Sequence, residues 1–288
     1  MTSGVGRIAA LILACAFLAT PCAGAVAAEA RASATIAAWL ATLGGIERIS
    51  TYSHRPPRDA DPSEPELGAY CRLVVGDGDD EQDCTGTAIL DRREVLTAAH
   101  CFFDDVTNAF IPGPYRCTFK SGKPDAVEAN CRVVKLGTQH AYELTESPRD
   151  YAVMLCDPGA PGAPLALGDA SQPADLVGES VSLAGYSSDM NDGGLRISED
   201  RACRIATYMG GYYTTDCGGW DGASGAPLTL DRDRRLVIGT ILGAPSGVKH
   251  DIPFDKSSMD ANIAVPAARF AADLASVKRD LDSGALVP

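Results

Sequence analysis

From Ala69 onwards, the chain consists mainly of short runs of β-branched, aromatic and aliphatic residues, and turn-forming residues separate them. These runs do not alternate with helical segments, so a parallel α/β sheet is disfavoured. Many short strands with frequent turns predict an all-β protein, either a sandwich or a barrel. The Pro- and Gly-rich stretch 157–164 is interpreted as a connector between two β-modules. The runs are residues 71–75, 87–90, 115–119, 131–136, 151–155, 180–184, 202–208, 226–230 and 236–242.

The first 28 residues have the order of a secretory signal peptide. A positive charge at Arg7 precedes the 12-residue apolar run Ile8–Ala19, and small residues follow at 23–28. We therefore predict cleavage near residues 25–28 and a secreted or periplasmic protein. The apolar run is too short to span a bilayer, so we expect no membrane association after cleavage.

Residues 29–68 form an N-terminal extension between the signal peptide and the β-rich region. Its first half, 29–50, has apolar residues at helical spacing, and residues 53–68 are rich in Pro, Asp, Arg and Glu. The extension is either a propeptide or a surface arm without function. At the other end of the chain, Pro266 opens an apolar stripe at helical spacing, which predicts a helix over 266–284 docked on the second β-module.

Cysteine content and charge limit the possible chemistry. An even number of cysteines follows the predicted cleavage site, which in an exported chain predicts four disulfides. No Cys-x-x-Cys or Cys/His cluster occurs, so we expect no metal site. The serine chemistry described below needs neither a metal nor an organic cofactor. The net charge of −13 argues against nucleic acid and anionic membranes as partners. The eight cysteines are Cys71, Cys84, Cys101, Cys117, Cys131, Cys156, Cys203 and Cys217.

The stretch 216–228 places Ser224 between Gly222 and Gly225. A nucleophilic serine needs an exposed hydroxyl and backbone amides directed at the developing oxyanion, and flanking glycines permit the tight turn that provides both. On this interpretation, the amides of Gly222 and Ser224 form the oxyanion hole. The same pattern also occurs in ordinary turns, so it needs support from the rest of the chain.

Two further blocks supply that support. His100 lies in Thr97-Ala-Ala-His-Cys101, and Asp150 opens Asp-Tyr-Ala-Val-Met-Leu at 150–155. Both blocks resemble chymotrypsin-like (trypsin-fold) serine proteases, and residues 237–243 are similar to their bacterial trypsin-like and glutamyl-endopeptidase branch. The resemblance covers roughly residues 69–282.

The resemblance implies a fold and a domain order. The fold is all-β, with two Greek-key six-stranded β-barrels, a site in the cleft between them and a C-terminal α-helix. The first barrel would occupy 69–160 and the second 161–265, followed by the helix at 266–284. The order His, Asp, Ser along the chain fits this family, whereas α/β-hydrolases have the order Ser, Asp, His.

The resemblance also implies residue roles. Ser224 would be the nucleophile, His100 its general base and Asp150 the carboxylate that orients the imidazole. A Cys84–Cys101 disulfide would fix the backbone beside the base. The sequence does not settle the pairing of the other six cysteines. The short-range pairs would be Cys117–Cys131 and Cys203–Cys217, which leave Cys71–Cys156. The residues expected at the substrate pocket are Gly218, Gly219, Ile241 and Gly243.

Departures from the family pattern limit these expectations. Ala223 stands where animal trypsins have the Asp that receives a new N-terminus, so activation by that ion pair is not expected. If activation occurs, it would remove the region before about Gly68. Gly218 and Gly219 stand where a trypsin has its specificity Asp, so the pocket is interpreted as roomy and apolar, and the sequence does not define its preference. Trp220 either lines it or caps the loop.

These observations lead to one function and one alternative. The protein is expected to be an exported serine endopeptidase that cleaves protein or peptide substrates through an acyl-enzyme. The alternative is a secreted, catalytically silent homologue that acts by binding. The oligomeric state and the physiological substrate are not determined by the sequence.

Overall fold

The structure is a computed structural model of the 288-residue chain. The signal peptide, residues 29–57 of the extension and Trp220 lie outside the described residues, so the expectations placed there stay predictions. Within the part that is described, no helix is both long and apolar enough to cross a bilayer. The described residues are 58–60, 64–77, 81–139, 147–169, 171–188, 191–219, 221–243 and 262–286.

The first barrel closes from six antiparallel strands in the order β2-β3-β4-β7-β6-β5. Because β5 returns to pair with β2, the first four strands form a Greek key. Buried and partly exposed residues alternate along β5, as expected for a strand with one face in a core. The strands, preceded by β1 (Arg58–Asp59), are β2 (Tyr70–Val75), β3 (Gln82–Ala88), β4 (Glu94–Thr97), β5 (Tyr115–Phe119), β6 (Val127–Leu136) and β7 (Ala152–Asp157).

The second barrel repeats this arrangement. Its six strands follow the order β9-β10-β11-β14-β13-β12, and β12 pairs with β9 to close the ring. Two short strands attach to it: β1 pairs with β10, and β8 (Ala166–Leu167) pairs in parallel with β13. The strands are β9 (Ser180–Gly185), β10 (Ser198–Met209), β11 (Tyr212–Thr215), β12 (Pro227–Leu230), β13 (Asp233–Gly243) and β14 (Asn262–Pro266), with the one-turn helix α1 (Asn191–Gly194) between β9 and β10.

The predicted fold class is therefore confirmed: two closed six-stranded barrels and one long C-terminal helix. The strands of the first barrel extend from Tyr70 to Asp157 and those of the second from Ser180 to Pro266. The helix α2 (Ala267–Asp282) then ends the described fold.

As expected, α2 docks on the second module, where it packs on β13 and β14, and it also reaches the first barrel. Its apolar face joins a core cluster that consists mainly of first-barrel residues. The Phe270 ring lies 5.6 Å from the Tyr151 ring, centroid to centroid, and the Tyr151 hydroxyl donates to Asp273 at 2.7 Å. An amphipathic stripe predicts that a helix docks but not on which neighbour, and the helix spans both barrels.

The disulfide pairing differs in part from the expectation. Cys84–Cys101 and Cys203–Cys217 are present, but Cys131 pairs with Cys156 instead of Cys117. Cys131 and Cys156 stand directly opposite each other on β6 and β7, and their Cα atoms are 4.1 Å apart. The expected pairs Cys117–Cys131 and Cys71–Cys156 are therefore wrong. Cys71 and Cys117 are buried thiols.

The described end of the N-terminal extension packs on the second barrel. Strand β1 pairs with β10, and the amide of Ala60 donates to Ile197 O at 3.2 Å. Glu64 accepts hydrogen bonds from Arg201 and Arg234, two residues of the second barrel. A cut near Gly68 would therefore remove a packed segment.

Candidate active site

Strand pairing brings His100 and Asp150 together. β4 pairs with β7 so that Thr97 stands opposite Ala152. His100 follows β4 by three residues and Asp150 precedes β7 by two, so both lie at the same end of this strand pair. Asp150 Oδ2 accepts a hydrogen bond from His100 Nδ1 at 2.8 Å, and its Oδ1 accepts one from the His100 backbone amide at 2.8 Å. The Cys84–Cys101 disulfide fixes the chain immediately after His100. The carboxylate is thus held at both oxygens by one residue.

The environment of His100 favours the protonated ring. Burial alone would lower its pKa, but the charge and hydrogen bond of Asp150 outweigh burial, and the net pKa is raised above its ordinary value. A hydrogen bond from Nδ1 to the carboxylate fixes the neutral tautomer, which leaves the Nε2 lone pair able to accept a proton. The pair can therefore take up a proton and stabilise the resulting imidazolium.

Two glycines shape the turn that carries Ser224. Gly222 has φ +86° and Gly225 has φ +84°, in the region that L side chains rarely adopt. A Cβ at Gly222 would collide with the Tyr186 carbonyl oxygen, and one at Gly225 would collide with Thr97 Oγ1. Only glycine lets the backbone approach both neighbours so closely.

The turn is attached to the first barrel through Thr85. The Thr85 amide donates to Ser224 O at 2.8 Å, and the Thr85 hydroxyl donates to Gly222 O at 2.8 Å. The Thr97 hydroxyl donates to Thr85 O at 2.8 Å, and Thr97 lies three residues before His100. The nucleophile turn of the second barrel is therefore held beside the segment of the first barrel that carries the base.

Ser224 is partly exposed, and its hydroxyl donates to the Leu242 carbonyl at 3.2 Å. Among the residues that the structure describes, neither the Gly222 amide nor the Ser224 amide donates to a backbone or side-chain acceptor. Buried amides in proteins are nearly always paired, so two neighbouring amides without acceptors suit an external oxygen atom.

The residues expected at the substrate pocket differ in their exposure and in their hydrogen bonds. The Gly218 amide donates to Asp200 Oδ2 at 2.7 Å, and Gly219 O accepts from Asn262 Nδ2 at 3.3 Å. Ile241 is fully buried in the second-barrel core, so the expectation that its side chain lines an open pocket is corrected. Leu242 and Gly243 are the partly exposed part of this segment, and a Cβ at Gly243 would lie 3.9 Å from Ser224 Oγ.

Sequence reasoning missed three residues that brace the site. Thr85 holds the nucleophile turn, whereas Asp200 and Asn262 hold the backbone that leads into it. Thr85 could have been found from its position beside Cys84. Asp200 and Asn262 reach the site from distant strands, and no local pattern marks them.

Among the described residues, two clusters have cysteine sulfur or histidine nitrogen atoms close enough together for a metal ion. One contains Cys84, Cys101 and His100, and the other contains Cys117, Cys131 and Cys156. In each cluster, two of the sulfurs already belong to one disulfide. A disulfide offers no thiolate, so neither cluster has the donor set of a zinc site.

Comparisons with known proteins are consistent with this geometry. A family model described as "Trypsin-like peptidase domain" matches residues 84–239. A search of curated protein sequences finds no match.

Three similar solved structures are a Glu endopeptidase, a serine protease and a protease. Because their sequence identity is low, the likeness shows the fold alone. A Glu endopeptidase in complex with MPD is 15% identical (TM-score 0.57), covering 79% of this chain and 98% of its own. The thermostable serine protease AL20 from an extremophilic microorganism is 13% identical (TM-score 0.55), covering 74% and 96%. The active form of a protease from M. tuberculosis is 19% identical (TM-score 0.50), covering 77% and 90%.

Proposed function

Because the chain belongs to the trypsin-like peptidase family, we propose that it is an exported serine endopeptidase with Ser224, His100 and Asp150 as its catalytic triad. The observation that carries the proposal is the two-point hold of Asp150 on His100, with 2.8 Å from each carboxylate oxygen to a nitrogen of His100. This arrangement fixes the imidazole with its proton on Nδ1, so Nε2 is the nitrogen that can accept a proton from the nucleophile.

The proposed reaction begins with Ser224. Its hydroxyl turns from the Leu242 carbonyl towards His100 by rotation about the Cα–Cβ bond, since hydrogen bonds of this kind often form only with substrate bound. Ser224 Oγ then attacks the peptide carbonyl as His100 Nε2 accepts the hydroxyl proton. The imidazolium next donates that proton to the leaving amine, and an acyl-enzyme is formed. Water, activated by the same imidazole, releases the acid.

The amides of Gly222 and Ser224 are proposed to bind the oxyanion. Their lack of an acceptor among the described residues supports this role. The turn is stabilised before substrate arrives because Thr85 holds the carbonyls of both residues. A preformed donor pair needs no reorganisation in the transition state, and one such donor contributes a factor of about 10²–10³ in kcat.

Export is proposed from the sequence. The charged start, apolar run and small residues of the first 28 positions have the order of a signal peptide. Disulfides are typical of oxidising compartments, and the described part of the chain contains three. The proposed substrates are proteins or peptides outside the cytoplasm.

Covalent labelling with a fluorophosphonate tests the proposal. The purified full chain, and a chain that starts at residue 57, are incubated with the probe beside Ser224→Ala and His100→Ala. Label on the wild type that disappears in both variants, with cleavage of an unfolded protein such as casein, is the expected result. Ser171→Ala is the matched control because Ser171 is an exposed serine away from the turn, and it should label like the wild type.

Two results would argue against catalysis. Label that persists in Ser224→Ala would place the reactive group elsewhere. Absence of both label and cleavage in the folded full chain and in the shortened chain would favour a catalytically silent binding protein.

A further inference from the structure

Four sulfur atoms lie together inside the first barrel. The sulfurs of Cys117, Cys131 and Cys156 lie within 4.8 Å of one another, and the last two form a disulfide. Cys71 Sγ and Cys117 Sγ face the same glycine: they lie 2.8 Å and 3.5 Å from the position that a Cβ of Gly86 would take. Both thiols are buried. A dithiol therefore adjoins a disulfide.

Strand register explains this row of sulfurs. Leu73 stands opposite Cys117, so Cys71 is the diagonal neighbour of Cys117 across β2 and β5. Ala129 stands opposite Cys117 on β6, so Cys131 is its diagonal neighbour on the other side. Residues in these relations share one face of the sheet, within reach of one another. The row continues to Cys156, the direct partner of Cys131 on β7.

Access to the row is restricted to one end. Cys71, Cys117 and Cys156 are fully buried, whereas Cys131 is partly exposed. A dissolved disulfide oxidant can therefore contact Cys131 but not the buried dithiol. Oxidation of Cys71 and Cys117 in the folded protein needs a path through the neighbouring sulfurs.

We propose that these four cysteines form a thiol–disulfide exchange relay, through which an external disulfide converts Cys71 and Cys117 into a fourth disulfide of the folded barrel. The proposal does not depend on the proposed peptidase activity.

Each step of the relay balances. The Cys117 thiolate attacks the Cys131–Cys156 disulfide at Cys131, forming Cys117–Cys131 and releasing the Cys156 thiolate, which takes up the proton that Cys117 lost. Cys71, losing its own proton, then attacks Cys117, forming Cys71–Cys117 and releasing Cys131 as a thiol. An external disulfide, such as oxidised glutathione, reoxidises Cys131 and Cys156 and is reduced to two thiols. The net change is loss of two electrons and two protons from Cys71 and Cys117.

The second exchange is expected to be the slow one. Burial, together with the neighbouring Cys117 thiol, raises the pKa of the Cys71 thiol well above its ordinary value. Thiolates, not thiols, attack disulfides, so a raised pKa slows attack at neutral pH. Oxidation of the buried pair should therefore lag behind formation of Cys131–Cys156.

Mass spectrometry of quenched samples tests the relay. The full chain is produced in a reducing cytoplasm, incubated with oxidised glutathione, and sampled over time by acid quenching, denaturation and alkylation. The expected result is a late loss of alkylation at Cys71 and Cys117, together with a peptide that joins them. Persistent alkylation of both residues, after the other three disulfides have formed, would overturn the proposal.

Variants separate the relay from direct oxidation. In Cys131→Ser/Cys156→Ser, oxidation of the buried pair should be at least ~10-fold slower, because the external oxidant has lost its only exposed partner in the row. The control Cys203→Ser/Cys217→Ser removes a disulfide of the second barrel and should oxidise Cys71 and Cys117 at the wild-type rate. Equal rates in both double variants would refute the relay.

The test distinguishes this result from simple unfolding. A barrel that unfolds would expose Cys71 and Cys117 and speed their oxidation, which is the opposite sign. Cys71→Ser/Cys156→Ser provides a positive readout as well. With no Cys71 thiol to attack Cys117 and no Cys156 thiol to pair with Cys131, oxidised glutathione should leave Cys117 joined to Cys131, and absence of that Cys117–Cys131 peptide would contradict the first exchange.

Discussion

Replacing Glu94 with glutamine is expected to remove a pH-dependent loss of stability that this buried carboxyl imposes. Glu94 lies fully buried at the start of β4, and neither carboxyl oxygen has a hydrogen-bond partner among the described residues. Burial raises its pKa to about 8, with Asp91 and Asp282 adding repulsion and Lys278 only partly opposing them. The side chain is therefore neutral in the folded protein at pH 7.

The sign of the effect follows from the two pKa values. The ordinary value is 4.5, so between pH 4.5 and about 8 the folded protein keeps a proton that the unfolded chain has lost. Stability from this group is fully present below pH 4.5 and is lost as the pH rises through about 8. The free energy of unfolding should fall by about 3–4 kcal/mol between pH 5 and pH 8 through Glu94 alone.

Chemical denaturation at several pH values from 5 to 9 measures this loss. In Glu94→Gln, the side chain has no charge at any pH. The free energy of unfolding of the variant should therefore rise steadily relative to that of the wild type as the pH increases. Glu128→Gln is the matched control because Glu128 is an exposed residue of β6 in the same barrel. The reasoning is refuted if wild type and Glu94→Gln lose stability in parallel across this range.

Three further substitutions test the site and its supports. Gly225→Ala should lower the fluorophosphonate labelling rate by more than ~100-fold because its Cβ collides with the first barrel. The control Gly178→Ala, at a glycine with φ +90° and no atom within 4 Å of the added Cβ, should label normally. Equal labelling rates would contradict the collision argument. Asp150→Asn should lower kcat by about 10³–10⁴-fold at unchanged folding, measured on a peptide substrate, and a loss under ~10-fold would exclude the orienting role. Tyr151→Phe should lower the free energy of unfolding by about 1 kcal/mol through loss of the bond to Asp273, and no change in denaturant midpoint would count against that contact.

Local patterns were sufficient for the residues whose roles depend on their immediate neighbours. The short blocks around His100, Asp150 and Ser224 carried the family resemblance from which two barrels were expected. The strand runs alone predicted an all-β sandwich or barrel. The structure adds how the blocks meet: β4 pairs with β7, and Thr85 holds the Ser224 turn against them.

Pairings between distant segments could not be predicted in the same way. The Cys131–Cys156 disulfide depends on which residues of β6 and β7 stand opposite each other, and sequence separation does not fix that register. Ile241 shows the related difficulty for side chains: its segment borders the site, but the Ile241 side chain is buried in the core of the second barrel. The environment of Glu94 was not foreseen either, because Lys278 and Asp282, which act on its charge, belong to the distant C-terminal helix α2.

Each end of the described fold contacts the barrel that is farther from it along the chain. The segment before the first barrel packs on the second barrel through β1 and Glu64, and the helix after the second barrel packs on both barrels, with Phe270 against Tyr151 of the first. Neither barrel is complete on its own, because each carries part of its covering from the far end of the chain. Separation of the two barrels would have to break the contacts of the N-terminal segment or of α2. The barrels are therefore expected to unfold as one cooperative unit. Either barrel expressed alone should expose apolar surface and aggregate.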